Sequence, residues 1–163
     1  MKKNNNRIES DSLGKVKVPK NALYGAQTQR AIDNFKISTD IFPPEFLESL
    51  AALKAACANA NSKSKLLSNK KAKAIYSSAM DIHKNIEKYY DQFPIDVYQT
   101  GSGTSTNMNM NEVIANKSNL LLGKKLPTNT PLHPNDHINK SQSSNDTIPT
   151  AMHISTVLAI HRE

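Results

Sequence analysis

Apolar residues recur at three- and four-residue intervals along several long segments of this chain. After Pro43-Pro44, the residues with this spacing are Phe46, Leu47, Leu50, Leu53, Ala56 and Cys57. A second set with this spacing, between about Asn69 and Tyr90, comprises Ile75, Ala79, Ile82, Ile86 and Tyr89. Phe93-Pro94 is expected to end that segment. Such spacing places apolar side chains on one helix face. The sequence therefore predicts two long amphipathic helices, with Cys57 as a buried packing residue.

Two more helices are predicted further along. One begins near Thr104 to Asn107, carries Val113, Ile114, Leu120 and Leu121, and ends at Gly123 as a left-handed cap. The last is capped by Ser144, Asn145 or Asp146 and tolerates Pro149 in its first turn. The residues at helical spacing are Ile148, Ala151, Met152, Ser155, Leu158 and Ala159. This pattern reaches Glu163 without a stop signal, so we expect the chain to be the first part of a longer one.

The amino-terminal segment has a different period. Val16 and Val18 alternate with lysines, Leu13-Gly14 supplies a turn, and Pro19 follows. This pattern predicts a β-hairpin over about residues 8–18, and the stretch from Asn21 to Phe35 predicts a loop leading into a short helix. Residues 1–6 are expected to be disordered. The fold class is therefore mainly α, with a small N-terminal β-hairpin plus a helical domain.

Composition narrows the class of protein. The 163 residues contain one cysteine, which excludes an internal disulfide framework and fits a reducing, cytoplasmic compartment. No stretch approaches the ~18 apolar residues of a membrane span, so no membrane partner is expected. The net charge of +7 comes almost entirely from scattered lysines. A solvated lysine-rich surface explains this charge better than a nucleic-acid interface, which usually combines a basic stripe with stacking aromatics.

Two donor-rich segments carry the functional signal. In the first, residues 99–109, Gly101 and Gly103 allow close backbone approach, while Ser102, Thr104, Ser105 and Thr106 add hydroxyl groups where a helix begins. In the second, His133-Pro134-Asn135-Asp136 forms a turn, and residues 141–146 place donors at the start of the last helix. Both patterns favour binding of a small anion. The alternative is a pair of ordinary helix caps.

Other chemistry is less favoured at these positions. His133 and His137 are four residues apart, but Pro134 and Asn135 argue against a shared helix, so a metal site is not predicted. Asp136 and Asp146 can act as acids or bases, although an aspartate near a helix start more often caps it. The glycines match neither a dinucleotide fingerprint nor a phosphate loop.

Taken together, Gln99-Thr100-Gly101-Ser102-Gly103-Thr104-Ser105-Thr106-Asn107-Met108-Asn109-Met110-Asn111-Glu112 and the run from His133 to Asp146 closely resemble class II fumarase. The runs Tyr24 to Arg30 and Pro149 to Ile154 extend the resemblance, which covers the chain from Arg7 onward. The family belongs to the fumarase/aspartase superfamily of mainly helical homotetramers. The resemblance implies reversible hydration of fumarate to (S)-malate, with no metal or organic cofactor.

The resemblance also implies roles for individual residues. The substrate-binding residues would be Ser102, Gly103, Thr104, Ser143, Ser144 and Asn145. A neighbouring second dicarboxylate site would contain His133, Pro134, Asn135 and Asp136. Residues 1–142 would form the N-terminal lyase domain, and residues 143–163 the truncated first helix of a central helix bundle.

Two departures from the family pattern bear on activity. The family's acid and base residues lie beyond Glu163, so the isolated chain is expected to be inactive. Thr130 stands where some members have an arginine, and this departure bears on the strength of the expected second site. One alternative is another superfamily lyase, such as an aspartate ammonia-lyase. Another is a non-catalytic remnant or binding module whose basic surface contacts nucleic acid.

Overall fold

Five α-helices and one β-hairpin form the part of the chain that the computed structural model describes, residues 5–162. The hairpin comprises β1 (Asn6–Asp11) and β2 (Gly14–Pro19). The helices are α1 (Ala26–Asn34), α2 (Pro44–Lys63), α3 (Asn69–Lys84), α4 (Thr104–Leu121) and α5 (Ser144–Arg162). The predicted mainly α fold with an N-terminal hairpin is confirmed.

The hairpin has the register that its turn dictates. β1 pairs antiparallel with β2, so that Arg7 faces Val18 and Asp11 faces Gly14. Gly14 has φ +108°, a torsion that glycine adopts without a Cβ penalty. Residues 1–4 lie outside the described residues. Asn6, which was expected to be disordered, instead pairs with Pro19 in the sheet.

The core lies between α2, α3 and α4. Its fully buried apolar side chains include Leu47, Leu50, Ile75, Ile82, Met110 and Ile114. α2 and α3 form a helical hairpin through the short connection of residues 64–68, and α4 packs against α3. On the other side, α5 packs against α2. Most residues of α4 are therefore covered by neighbouring elements.

Two helix predictions need correction. α3 ends at Lys84 rather than near Tyr90, because Asn85 leaves helical torsions (φ −134°, ψ 39°); the chain continues as two 3-10 turns, Ile86–Lys88 and Tyr90–Gln92. Ile86 nevertheless remains buried. On α4, Leu120 and Leu121 are exposed because they lie at its last turn, although Gly123 has the left-handed torsion expected of a cap (φ +77°).

The predicted apolar faces of α2 and α5 are also only partly right. On α2, Ala56 is exposed and Cys57 is half-buried. On α5, Ile148 and Ala151 are buried, whereas Met152 and Leu158 are 51% and 37% exposed, since no described element covers that side. Pro149 lies beyond the first turn of α5, which begins at Ser144. Within residues 5–162, no helix is both long enough and apolar enough to cross a bilayer.

Candidate functional site

The first donor-rich segment folds as a tight turn that leads into α4. Gly101–Gly103 form one 3-10 turn, in which Ser102 and Gly103 have φ +61° and +62°. A left-handed torsion costs a non-glycine residue about 1–2 kcal/mol, so the Ser102 backbone is strained. A Cβ on Gly103 would lie 3.2 Å from Ile148 of α5. The torsion and the close packing both favour glycine at position 103.

The same turn meets the amino end of α5. Thr104 Oγ1 and Ser144 Oγ lie 3.0 Å apart, which joins segments separated by 40 positions in the sequence. Ser102, Thr104, Ser143 and Asn145 are exposed, and Gly103 and Ser144 are half-buried. We call residues 102–104 and 143–145 the anion cradle. Its polar groups lie where two long helices begin, and helix N-termini attract negative charge.

Part of the donor-rich sequence serves as ordinary capping. Thr100 Oγ1 accepts the Ser105 N–H at 3.1 Å, and Gln99 Oε1 accepts the Thr106 N–H at 2.8 Å. Ser143 Oγ accepts the Asn145 N–H at 3.2 Å, so Ser143 caps α5. Thr104 Oγ1 donates to the Gly101 carbonyl at 3.3 Å and contacts Ser144 Oγ, rather than capping a helix. The capping alternative therefore accounts for some donors of the two segments, whereas the side chain of Ser102 is exposed in the turn before α4.

The predicted second site folds as a π-helical turn, Pro134–Ile138. His133 precedes this turn, and its Nδ1 accepts the N–H groups of Asn135 and Asp136 at 3.3 and 3.4 Å. His137 lies inside the turn, where its Nδ1 accepts the His133 N–H at 3.0 Å. Burial lowers the pKa of His137, and the Lys71 ammonium group 2.6 Å from Nε2 adds to this effect. The two imidazoles thus organise the turn.

The second site opens onto a cleft of about 580 Å³ that does not include the anion cradle. His133, Pro134 and Asn135 line one part of the cleft, with Thr100 and Ser105 beside them. Arg30 lines it as well, but its guanidinium group is paired with Asp11, with Nε 2.8 Å and an NH2 group 3.0 Å from the two carboxylate oxygens. Asp136 is exposed, and it does not line the cleft. The two predicted sites are therefore separate surfaces.

Glu112, near the middle of α4, anchors α1 beside this region. Its carboxylate accepts the N–H groups of Gly25, Gln27 and Thr28 at 2.9 to 3.0 Å and the Thr28 hydroxyl at 2.6 Å. Burial raises the pKa of Glu112, and these four donors act in the opposite direction. Two segments that carry the resemblance to class II fumarase, residues 24–30 and residues 99–112, are thus joined through Glu112.

The sequence analysis missed a buried polar cluster beneath the anion cradle. Lys54 of α2 is fully buried, and its Nζ lies 2.7 Å from Asn107 Oδ1, 3.1 Å from Asn139 Oδ1 and 2.8 Å from Gln142 Oε1. Burial lowers the pKa of Lys54 to about 7. A signal was available: Lys54 is four residues after Leu50 and interrupts the apolar stripe of α2.

Metal binding receives no support from side-chain grouping. Within the described ranges, no three His, Cys, Asp or Glu side chains come together as a potential metal site.

A sequence profile of the lyase family matches residues 14–163. The chain belongs to this family. The fumarate hydratase class II of Bacillus subtilis is 50% identical over 157 residues, 96% of this chain and 33% of the relative. The fumarate hydratase class II of Wigglesworthia glossinidia brevipalpis is 53% identical over 157 residues, which again cover 96% of this chain and 33% of the relative. The chain thus spans about a third of the length of the curated relatives it matches.

Solved structures agree with this assignment. The class II fumarase from Schistosoma mansoni superimposes with a TM-score of 0.87 at 41% identity, covering 94% of this chain and 32% of that one. A fumarate lyase:delta crystallin from Brucella melitensis gives a TM-score of 0.90 at 41% identity, with coverage of 95% and 35%. The resemblance to class II fumarase is therefore confirmed.

Proposed function

We propose that the protein to which this chain contributes is a fumarate hydratase, which adds water across the double bond of fumarate to give (S)-malate. The observation that carries the proposal is the contact between Thr104 and Ser144, since it joins the two segments expected to bind one substrate. The relatives named fumarate hydratase class II support the same reaction.

In this proposal the anion cradle binds a substrate carboxylate. Removal of a proton next to a carboxylate gives an aci-carboxylate with an extra negative charge, and fixed donors stabilise such charge most effectively. Ser102, Thr104 and Asn145 supply donors of this kind. Gly103, which has no side chain, allows the backbone to approach the bound carboxylate closely. Ser143 and Ser144 complete the binding surface. The proton-transferring groups are assigned to no residue of this chain.

The other expectations from the resemblance belong to the same proposal. The π-helical turn with His133, Pro134, Asn135 and Asp136 forms a second dicarboxylate site. Residues 1–142 form the N-terminal lyase domain, and residues 143–163 begin the central bundle. The complete enzyme is a cytoplasmic homotetramer.

The test uses a hybrid in which this chain is continued by the remaining two-thirds of the Bacillus subtilis relative. Hydration is followed as the loss of fumarate absorbance. We expect the hybrid to be active and the 163-residue chain alone to be inactive. Appreciable turnover by the isolated chain would contradict the second expectation. Release of ammonia from aspartate without fumarate hydration would instead identify an aspartate ammonia-lyase.

A matched pair of variants tests the anion cradle. Thr104→Val keeps the side-chain shape but removes the hydroxyl, and we expect kcat/KM of the hybrid to fall by about 100- to 1000-fold, the usual cost of one lost donor to a developing charge. Thr39→Val changes an exposed threonine in the connection between α1 and α2, outside both predicted sites. An equal effect of both substitutions would argue against the cradle.

A further inference from the structure

Lys54 is an unusual residue for the interior of α2. Its side chain is 0% exposed, and its helix neighbours Leu50, Ala51, Ala55 and Ala58 are all buried. Lysine is almost never fully buried unless its charge is compensated. An apolar side chain of similar length would fill the same space without the desolvation cost. The presence of an ammonium group here therefore calls for an explanation beyond packing.

The ammonium group lies inside a cage of amide oxygens. It donates to Asn107 of α4 and to Asn139 and Gln142 of the segment that precedes α5. The Asn139 oxygen also accepts from the Asn107 and Asn111 amide groups, at 3.1 and 3.2 Å. One cation thus fixes the amide orientations of two separate segments.

Two of the three partners of Lys54 are close in sequence to the two halves of the anion cradle. Asn107 lies one helical turn after Thr104 on α4. Gln142 directly precedes Ser143. Asn107 Oδ1 also accepts the hydroxyl of Thr147, in the first turns of α5, at 3.3 Å. The cluster therefore links both halves of the cradle from the interior side, while the Thr104–Ser144 contact links them at the surface.

The charge of Lys54 is not neutralised by an acidic partner. None of the ion pairs found among residues 5–162 includes Lys54. Of the titratable groups that act on this region, the Cys57 thiol lies on the same helix, and Asp146 of α5 acts on that thiol. α4 and the 139–142 segment present neutral amides. Because its three N–H groups are used by these amide oxygens, the charge of Lys54 acts on an anion in the cradle through space.

We propose that Lys54 is a positioning residue for the anion cradle: its ammonium group holds the two halves of the cradle together and favours occupation by a dicarboxylate. The inference rests on the proposed function for its substrate. A bound dicarboxylate stabilises the protonated form of Lys54, so binding is accompanied by proton uptake near pH 7.

The kinetic test measures KM for fumarate in the hybrid enzyme from about pH 6 to about pH 8. If only the protonated form binds, KM rises about tenfold over this range, because the apparent affinity scales with the competent fraction. Lys54→Met removes the charge, and we expect a KM that is high at every pH with a smaller change in kcat. Lys54→Arg keeps a charge that does not titrate in this range, so KM is expected to remain low at about pH 8.

Lys117→Met is the control. Lys117 is partly buried and pairs with Asp81, and it lies about 20 Å along α4 from Thr104. We expect the pH profile of Lys117→Met to match that of the parent hybrid. A Lys54→Met hybrid with the parent's KM and pH profile would overturn the proposal.

A second measurement is independent of hydration and of variant folding. Carbon-13-labelled lysine in the 163-residue chain reports the titration of Lys54 by NMR, without and with saturating succinate. A rise of the Lys54 pKa with succinate supports the proposal, and an unchanged pKa overturns it. If the parent hybrid does not hydrate fumarate, the proposed function fails, while the succinate titration still decides whether Lys54 responds to a dicarboxylate.

Discussion

At the scale of single residues, the Glu112 carboxylate holds the start of α1 in place. It is nine-tenths buried or more, and it accepts four hydrogen bonds from the start of α1. A carboxylate at a helix N-terminus also interacts favourably with the helix dipole. The position of α1 therefore depends on an acceptor contributed by a residue more than eighty positions away.

The substitution Glu112→Gln tests this dependence. An amide retains one oxygen acceptor and places an NH2 group opposite N–H donors, so at least one buried donor loses its partner. We expect the free energy of unfolding to fall by about 2–3 kcal/mol, measured by urea denaturation. Glu87→Gln changes an exposed glutamate and is expected to alter stability by less than about 0.5 kcal/mol. Equal stabilities of the two variants would contradict the anchoring role.

Ser102 shows backbone strain where substrate binding is proposed. With φ +61°, it is a position that glycine tolerates better. Ser102→Gly is therefore expected to increase the free energy of unfolding of the chain by about 0.5–1 kcal/mol, measured as a higher thermal midpoint. The same substitution is expected to lower the rate of fumarate hydration by the hybrid. Lys65→Gly relaxes another position with φ +61° outside the cradle. It should increase stability without loss of activity; parallel activity losses in both variants would remove the argument for Ser102.

Some of the residues at the candidate site could be predicted from the sequence, and others could not. Runs of small donors marked Ser102, Thr104 and Ser144 because their composition is unusual at a helix start. Their separate functions as caps or free donors depend on local torsions that composition does not specify. Lys54 and Glu112 were missed as site-supporting residues, since their partners are distant in sequence and their role arises only when the helices pack.

At the scale of elements, Arg7 joins the hairpin to the chain that leads into α1. Its guanidinium group donates to the carbonyls of Pro19, Ala22 and Tyr24 at 2.7 to 2.8 Å and pairs with Glu9. A two-stranded hairpin has little stability alone. The side chain of Arg7 therefore supplies much of what attaches β1 to the helical part of the chain.

Arg7→Met is expected to lower the free energy of unfolding by about 3–5 kcal/mol, because it leaves buried carbonyl groups and Glu9 without their cation. Hydrogen exchange should show the largest loss of protection in β1. The control Arg30→Met removes a more exposed pair with Asp11 and should cost about 1 kcal/mol or less. A comparable loss of protection in both variants would mean that Arg7 has no special role.

Helix existence could be read from the sequence, whereas helix ends and faces could not. The apolar spacing over residues 69–90 continues through Ile86, but the backbone at Asn85 leaves the helix, and the side-chain amide of Asn85 donates to the Asp81 carboxylate at 2.9 Å. A periodic pattern does not register such a break. On α5, apolar spacing identified the helix correctly but did not indicate which side the described neighbours would cover.

At the scale of the whole molecule, the buried Lys54 predicts a pH-dependent stability. Unfolded lysine has a pKa of about 10.4, whereas burial in the folded chain lowers that of Lys54 to about 7. Between these values the unfolded state binds more protons, so stability increases with pH by at most about 1.4 kcal/mol per unit from this group. Lys54→Met should show a smaller slope in urea unfolding between about pH 7 and about pH 8.5.

A matched comparison uses Lys73→Met, which removes an exposed lysine of α3. It should retain the parent's increase of stability with pH. An unchanged slope in Lys54→Met would mean that Lys54 stays protonated in the folded chain throughout this range.

The 40-residue separation of Thr104 and Ser144 also has a consequence for the order of events during synthesis. Residues 102–104 leave the ribosome first, and at about 5–20 residues per second the partner segment follows roughly 2–8 s later. During that interval the strained turn at Ser102 has no α5 against which to pack. The growing chain therefore passes through a stage at which its helices α2 to α4 can fold while the two halves of the anion cradle are not yet in contact.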